Sequence, residues 1–131
     1  ISKAIEANIK VHCLPGPTAL IPALVQSGFP TDEFLFIGFL PHKKGRQKKL
    51  KEIAQIQTTI VLYESPHRIL KLIEEIAIYF NKERTISVSK EITKIHETNY
   101  RGTAQELINL FSSIVIKGEY VVVIEKNKTK K

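Results

Sequence analysis

The chain has 131 residues, of which 20 are Lys or Arg and 13 Asp or Glu, giving a formal charge of +7 with 43% hydrophobic residues. This composition suits a single globular, water-soluble domain with room for a real core, and no apolar run approaches the ~20 residues of a membrane span. One cysteine (Cys13) rules out a disulfide framework and suits a reducing cytoplasm, while the absence of Met even at position 1 marks the chain as a piece of a longer protein.

Elements follow in alternation. A short helical remnant is expected over about residues 2 to 7, then a strand over Ile9-Lys10-Val11-His12-Cys13-Leu14. Pro15-Gly16-Pro17 reads as a turn before a helix from Thr18 to Ser27, with Pro22 near its first turn and Gly28 as its stop. Phe34 to Leu40 reads as a buried, aromatic-rich strand, and residues 46 to 56 as a basic helix with a Leu50, Ile53, Ala54 stripe. A strand over 58 to 63 leads to a helix over 66 to 80, for which Ser65 is the expected N-cap and Pro66 the first helical residue. Thr85 to Ser89 alternates as a half-buried strand should, and His96 to Arg101 is polar enough for a sheet edge. Thr103-Ala104-Gln105-Glu106 is a capping box opening a helix that turns Leu107, Ile108, Leu110 and Phe111 inward, and Tyr120 to Ile124 is the last strand. The pattern predicts an α/β fold with a mixed sheet flanked by helices: one domain over 1–125 and a basic, disordered tail over 126–131.

The candidate chemistry concentrates at Tyr63-Glu64-Ser65-Pro66-His67-Arg68, where a strand turns into a helix. An acid, a hydroxyl, an imidazole and a guanidinium crowd one corner, beside free N–H groups at a helix N-terminus; taken alone, the same residues also read as a well-capped helix start. Six cations fall between Lys43 and Lys51, and four more between Lys126 and Lys131. Such clusters match a phosphate backbone, or a solvated helix face and tail. The four histidines show no metal-ligand spacing, Asp32 is the only aspartate, and no Walker loop, dinucleotide glycine motif or hydrolase elbow is present. The enzyme classes left over need shape and positioning more than a metal or a nucleophile, and group transfer from a pre-activated donor is one of them.

Leu14-Pro15-Gly16-Pro17-Thr18-Ala19 resembles the turn that opens the second domain of tetrapyrrole-methylase-fold enzymes. Gly38-Phe39-Leu40-Pro41-His42-Lys43-Lys44-Gly45-Arg46 and the corner hexapeptide resemble one branch of that fold, which 2′-O-methylates a cytidine in 16S rRNA of the small ribosomal subunit. Glu91-Ile92-Thr93-Lys94, Arg101-Gly102-Thr103 and Lys117-Gly118-Glu119 follow in the order of that branch. The resemblance spans nearly the whole chain but only the C-terminal half of such an enzyme. It implies S-adenosylmethionine as cofactor in a cleft completed by a missing N-terminal domain, homodimerisation, and no membrane. It places Thr18, Ala19, Glu64, Ile92 and Glu119 against the cofactor and suggests Glu64, or His67 in its stead, as acceptor of the ribose proton. Lys43, Lys44, Arg46, His67 and Arg68 would hold RNA, with Lys48 and Lys49 extending the basic cluster. A small-molecule methylase of the same fold and a non-catalytic RNA-binding module remain as alternatives; the phosphate-gripping cluster weighs against the first, and the lack of aromatics between His42 and Lys51 against the second.

Overall fold

An apolar run without alternation belongs in the middle of a sheet, and Thr59–Glu64 lies there, buried except for Tyr63. The computed structural model describes residues 1–127. In chain order its elements are α1 (Ser2–Glu6), α2 (Leu20–Ser27), β1 (Phe34–Phe39), α3 (Arg46–Ala54), β2 (Thr59–Glu64), α4 (Ile69–Tyr79), β3 (Thr85–Lys90), β4 (Thr98–Thr103), α5 (Ala104–Phe111) and β5 (Tyr120–Ile124). The strands form one mixed sheet in the order β1-β2-β5-β3-β4, with β1 parallel to β2 and the other pairs antiparallel. The mixed α/β architecture expected from the sequence is therefore the one observed.

The two faces of the sheet are covered unequally. Helices α3, α4 and α5 pack Leu50, Ile53, Ile73, Ile76, Leu107 and Phe111 against Ile60, Leu62, Ile86, Val88, Val122 and Ile124. On the opposite face α2 alone sets Ala23 and Leu24 against Val61, Val121 and Val123. β3 is thus buried on both faces, not half-buried, and its two inward hydroxyls are satisfied across the ladder: Asn99 Nδ2 donates to Ser87 Oγ at 2.9 Å and Ser89 Oγ at 2.8 Å.

Other expectations change. Ile9 to Leu14 forms no strand, because no neighbouring strand among the described residues offers it a ladder, and its side chains stay exposed. β1 is a sheet-edge strand and not a buried one: with a single neighbour and no helix over the α2 face there, Phe34, Phe36 and Phe39 are 38%, 42% and 59% exposed. α2 starts at Leu20 instead of Thr18. α4 starts at Ile69, three residues beyond Pro66, with Arg68 at the N-cap and no side-chain cap, so Ser65 caps nothing. There Ser65 and Arg68 both donate to Glu64, and the Arg68 amide closes a turn on Ser65 O at 3.1 Å, which delays the helix. Within α5, Leu107 and Phe111 are buried while Leu110 is 36% exposed. The capping box is as expected, with the Thr103 amide donating to Glu106 Oε2 at 2.7 Å and Glu106 N to Thr103 Oγ1 at 3.3 Å. The tail beyond residue 127 lies outside the described residues.

Arg84, 4% exposed, fastens the end of the sheet opposite the corner. Its guanidinium donates to the carbonyls of Glu125, Ala54 (3.3 Å) and Ile56 (3.1 Å), and it lies over the Phe80 ring at 5.2 Å. Burial, partly offset by the Glu125 charge, pulls its pKa down to about 10, so it stays charged at neutral pH. Replacing it removes the side-chain donor from these three carbonyls, of which that of Ala54 is buried. Arg84→Ala is expected to cost at least about 2 kcal/mol in urea unfolding, against a few tenths for a surface Lys48→Ala control; equal midpoints would refute the fastening role.

Candidate functional site

The carboxyl ends of β1, β2 and β3 and the start of β5 meet at one edge of the sheet, since Glu64 and Lys90 both register with Tyr120. Ligands of open α/β sheets settle outside such strand ends. α2 is clamped so that its N-terminus points to the same place. Its C-terminal end is stopped by Gly28 at φ 71° and held where Arg101 Nη2 donates to Gln26 O at 2.6 Å. Ala19 at the N-cap contributes no side-chain acceptor, which leaves the first amides of α2 free of a cap.

Two concavities flank that helix start. One, of about 400 Å³, is walled by Phe39, Tyr63, Glu64, Ser65 and Val121. The other, of about 610 Å³, is walled by Thr18, Ile92 and Thr93. Ala19 and Glu119 line both, so the two adjoin around the helix start and together form a groove there. All five residues expected at a cofactor, scattered over a hundred positions, converge here.

The rim at Ile92 is built under strain. Glu91 and Thr93 have φ of 51° and 66°, in the left-handed region that side chains avoid. Glu91 is held there by Glu119: its amide donates to Glu119 O at 3.0 Å, and its Oε1 accepts the Glu119 amide at 2.8 Å. Thr93 N donates to Glu97 Oε2 at 2.6 Å, and Lys94 bridges Glu91 and Glu119. The Glu119 amide first, and Lys94 second, hold the Glu91 carboxyl below its ordinary pKa. Gly118 makes the contact possible, since at φ 92° an added Cβ would stand 2.7 Å from the Glu91 side chain.

Glu64 is 3% exposed and fully committed. Oε1 accepts from the Ser65 amide at 2.8 Å and Arg68 Nε at 3.0 Å, while Oε2 faces Arg46 Nη2 at 3.4 Å. Arg46, also 3% exposed, forks onto Glu75 at 2.7 to 3.0 Å and donates to Pro41 O at 3.1 Å. Burial alone lowers the Arg46 pKa, but Glu75 and Glu64 outweigh it and the net shift is upward. This corrects the sequence reading of Arg46 as an RNA-gripping residue, because its fork is used inside the protein. Lys43, Lys44, Lys48 and His67 are exposed, Lys49 pairs with Glu52 at 3.2 Å, and the Arg68 side chain is 24% exposed. Sequence reasoning missed Glu75 and His42, and it read Ser65 as a helix cap without placing it in the groove. Glu75 follows Arg46 by 29 positions with no local pattern to join them. Ser65 lines the groove with a buried hydroxyl that has no partner among the described residues, the kind of atom a ligand satisfies.

An α/β domain with a ligand groove at its strand ends and a cationic surface beside it is the class that fold and site define. Residues 1–108 match the tetrapyrrole (corrin/porphyrin) methylase family, and the chain belongs to that family. It is similar to the ribosomal RNA small subunit methyltransferase I of Synechocystis, 47% identical over 120 residues and covering 91% of this chain and 43% of the relative. The enzyme of the same name from Halalkalibacterium halodurans is 37% identical, covering 99% and 45%. The chain therefore spans about half the length of these curated relatives. Among solved structures, the methyltransferase CobJ superposes with a TM-score of 0.68 at 19% identity, covering 99% of this chain and 59% of CobJ. Uroporphyrin-III C-methyltransferase from Thermus thermophilus, solved with S-adenyl homocysteine, gives 0.60 at 14%, covering 93% and 55%. These two likenesses concern the fold alone.

The strained rim yields a prediction. Gly118→Ala should destabilise the chain by about 1–3 kcal/mol and raise proteolysis at residues 91 to 97, measured by urea unfolding and limited digestion. Wild-type behaviour in both would mean the rim does not depend on that contact.

Proposed function

We propose that this chain is the C-terminal half of an S-adenosylmethionine-dependent methyltransferase that modifies the 2′-hydroxyl of a cytidine in 16S rRNA, working as a cytoplasmic homodimer. The observation that carries this reading is the convergence of Thr18, Ala19, Glu64, Ile92 and Glu119 on one groove beside an exposed basic surface. The relatives' names and the cationic surface support RNA over a tetrapyrrole, which needs no phosphate grip. Their length, about twice this chain, supports a further domain closing the groove from its other side.

The groove's residues fit the cofactor. Apolar Phe39, Tyr63 and Val121 suit a planar ring system, the uncapped amides at the start of α2 suit an anionic group, and the free Ser65 hydroxyl can bond either. When bound, S-adenosylmethionine supplies a methyl group already activated on a sulfonium. The chain's own work is then to hold the acceptor oxygen in line with that methyl at ~3 Å and to keep the groove wall rigid. Glu64 does the latter. Because its oxygens serve Ser65, Arg68 and Arg46, we assign it a positioning role and leave the ribose proton to His67 or to the completing domain.

Kinetics separate the two roles in the full-length enzyme. A proton acceptor lost in Glu64→Gln would lower kcat by about 10²–10⁴-fold with unchanged KM. Positioning predicts raised KM for both substrates and less than about tenfold loss in kcat.

The function itself is tested by incubating the full-length parent with methyl-labelled cofactor and either small ribosomal subunits or a porphyrin precursor. Label should enter RNA at a ribose; label in the porphyrin alone would overturn the reading. This chain by itself, offering one wall of the cleft, should give no tight stoichiometric heat on titration with the cofactor, and tight binding would refute the need for a second domain.

A further inference from the structure

Glu75 sits on α4, across Arg46 from the groove, yet it ends a continuous chain of charges that passes through the groove-lining Glu64 and comes out at the exposed His42. Its carboxylate takes Arg46 Nε at 3.0 and 2.9 Å and Nη2 at 2.7 Å. Arg46 Nη2 reaches Glu64 Oε2 at 3.4 Å, and Glu64 Oε1 takes Arg68 Nε at 3.0 Å. Arg68 Nη1 then lies 2.8 Å from Nδ1 of the exposed His42. Two carboxylates and two guanidiniums alternate, so each charge has an opposite neighbour; Arg46 and Glu64 in the middle are buried, while Glu75 is 13% and Arg68 24% exposed.

That geometry fixes more than charge. A guanidinium can only donate, so His42 Nδ1 accepts and the neutral ring carries its proton on Nε2. Arg46 also anchors Pro41 through its carbonyl at 3.1 Å, so the first two residues of the basic loop are both tied to the chain of charges. Among the described residues, Arg68 Nη2 and His42 Nε2–H have no protein acceptor. Two outward donors of this kind, one on a planar fork, match the oxygens of a phosphodiester. Unlike Lys43 and Lys44, which lose side-chain freedom on gripping a phosphate, these two are already ordered before RNA arrives.

We propose that Glu75, acting through Arg46 and Glu64, holds Arg68 and His42 as a pre-oriented clamp for one RNA phosphodiester beside the groove wall that Glu64 forms. The proposal rests on the reading that this face meets RNA and deepens it. Lys43 and Lys44 supply sequence-independent attraction, whereas the clamp fixes where one particular phosphate lies relative to the groove. Glu75 is a positioning residue: it touches neither RNA nor cofactor.

Two measurements on this chain test it. In NMR spectra, Glu75→Gln should shift the Arg68 Nε–H and His42 ring signals, although residue 75 contacts neither. Binding of a short cytidine-containing oligoribonucleotide should weaken roughly 3- to 10-fold in Glu75→Gln and also in Arg68→Ala, with Glu75→Gln adding nothing in the Arg68→Ala background. Arg68→Lys keeps the charge and leaves the Arg46–Glu75 pair untouched, so it guards against misfolding; it should lose the His42 Nδ1 contact and bind like Arg68→Ala. Unmoved signals, or effects that simply add, would overturn the relay. Shifts as expected with no oligoribonucleotide binding by the wild type would leave the relay but overturn the clamp, while the RNA reading stands or falls separately on label transfer by the full-length parent. Equal shifts with inorganic phosphate and with the oligoribonucleotide would reduce the clamp to non-specific anion binding and overturn it.

Discussion

A carboxylate that is 3% exposed at the end of a central strand cannot be left without partners, and most of the site's architecture follows from how Glu64 finds them. Its partners come from three directions: the next amide in the chain, the start of α4, and the start of α3. Satisfying them bends residues 65 to 68 into a turn, pushes the helix start to Ile69, and draws α3 inward through Arg46. Arg46 in turn needs Glu75. Removing one member of such a set strands a buried charge at a cost of about 3–5 kcal/mol, so the corner holds together as a unit.

The unequal sheet faces decide where that corner matters. Three helices seal one face, while α2 covers only part of the other and leaves its uncapped N-terminus beside the strand ends. The groove lies where α2, which packs on Val61 of β2, leaves β1 without a helix over it. Phe36, edge-on to Tyr63 at 5.0 Å, and Phe39, tilted against it at 5.7 Å, form an exposed aromatic flank beside the groove that nothing among the described residues covers. A half-open groove with one strained rim and one ionic wall fits a domain whose ligand is enclosed only when another domain docks.

The alternation of elements, the mixed sheet and the Thr103 capping box were legible because each rests on a local pattern: period two, period 3.6, or a Thr-x-x-Glu spacing. Errors arose where a non-local partner overruled the pattern. Ser65-Pro66 is a good local helix start, but Glu64 captures the Ser65 amide. Ile9 to Leu14 alternates like a strand, yet no ladder partner is there. Phe34 to Phe39 is apolar enough to be buried and is not, because burial depends on what lies above it. The groove residues came from resemblance. Arg46 was misplaced on the surface because a cation among lysines gives no sign that a glutamate far along the chain has claimed it.

Family membership and fold agree with one another, and the ionic chain links the basic loop to the wall of the groove. The most direct test of that link is hydrogen exchange at the side-chain Nε–H groups of Arg46 and Arg68, followed by NMR in this chain. The account predicts strong protection at Arg46, whose Nε lies 2.9 Å from a carboxylate in the interior, and lesser but clear protection at Arg68. Exchange of both at the rate of a free arginine side chain would show that the chain of charges does not persist in solution, and the corner would lose its supports.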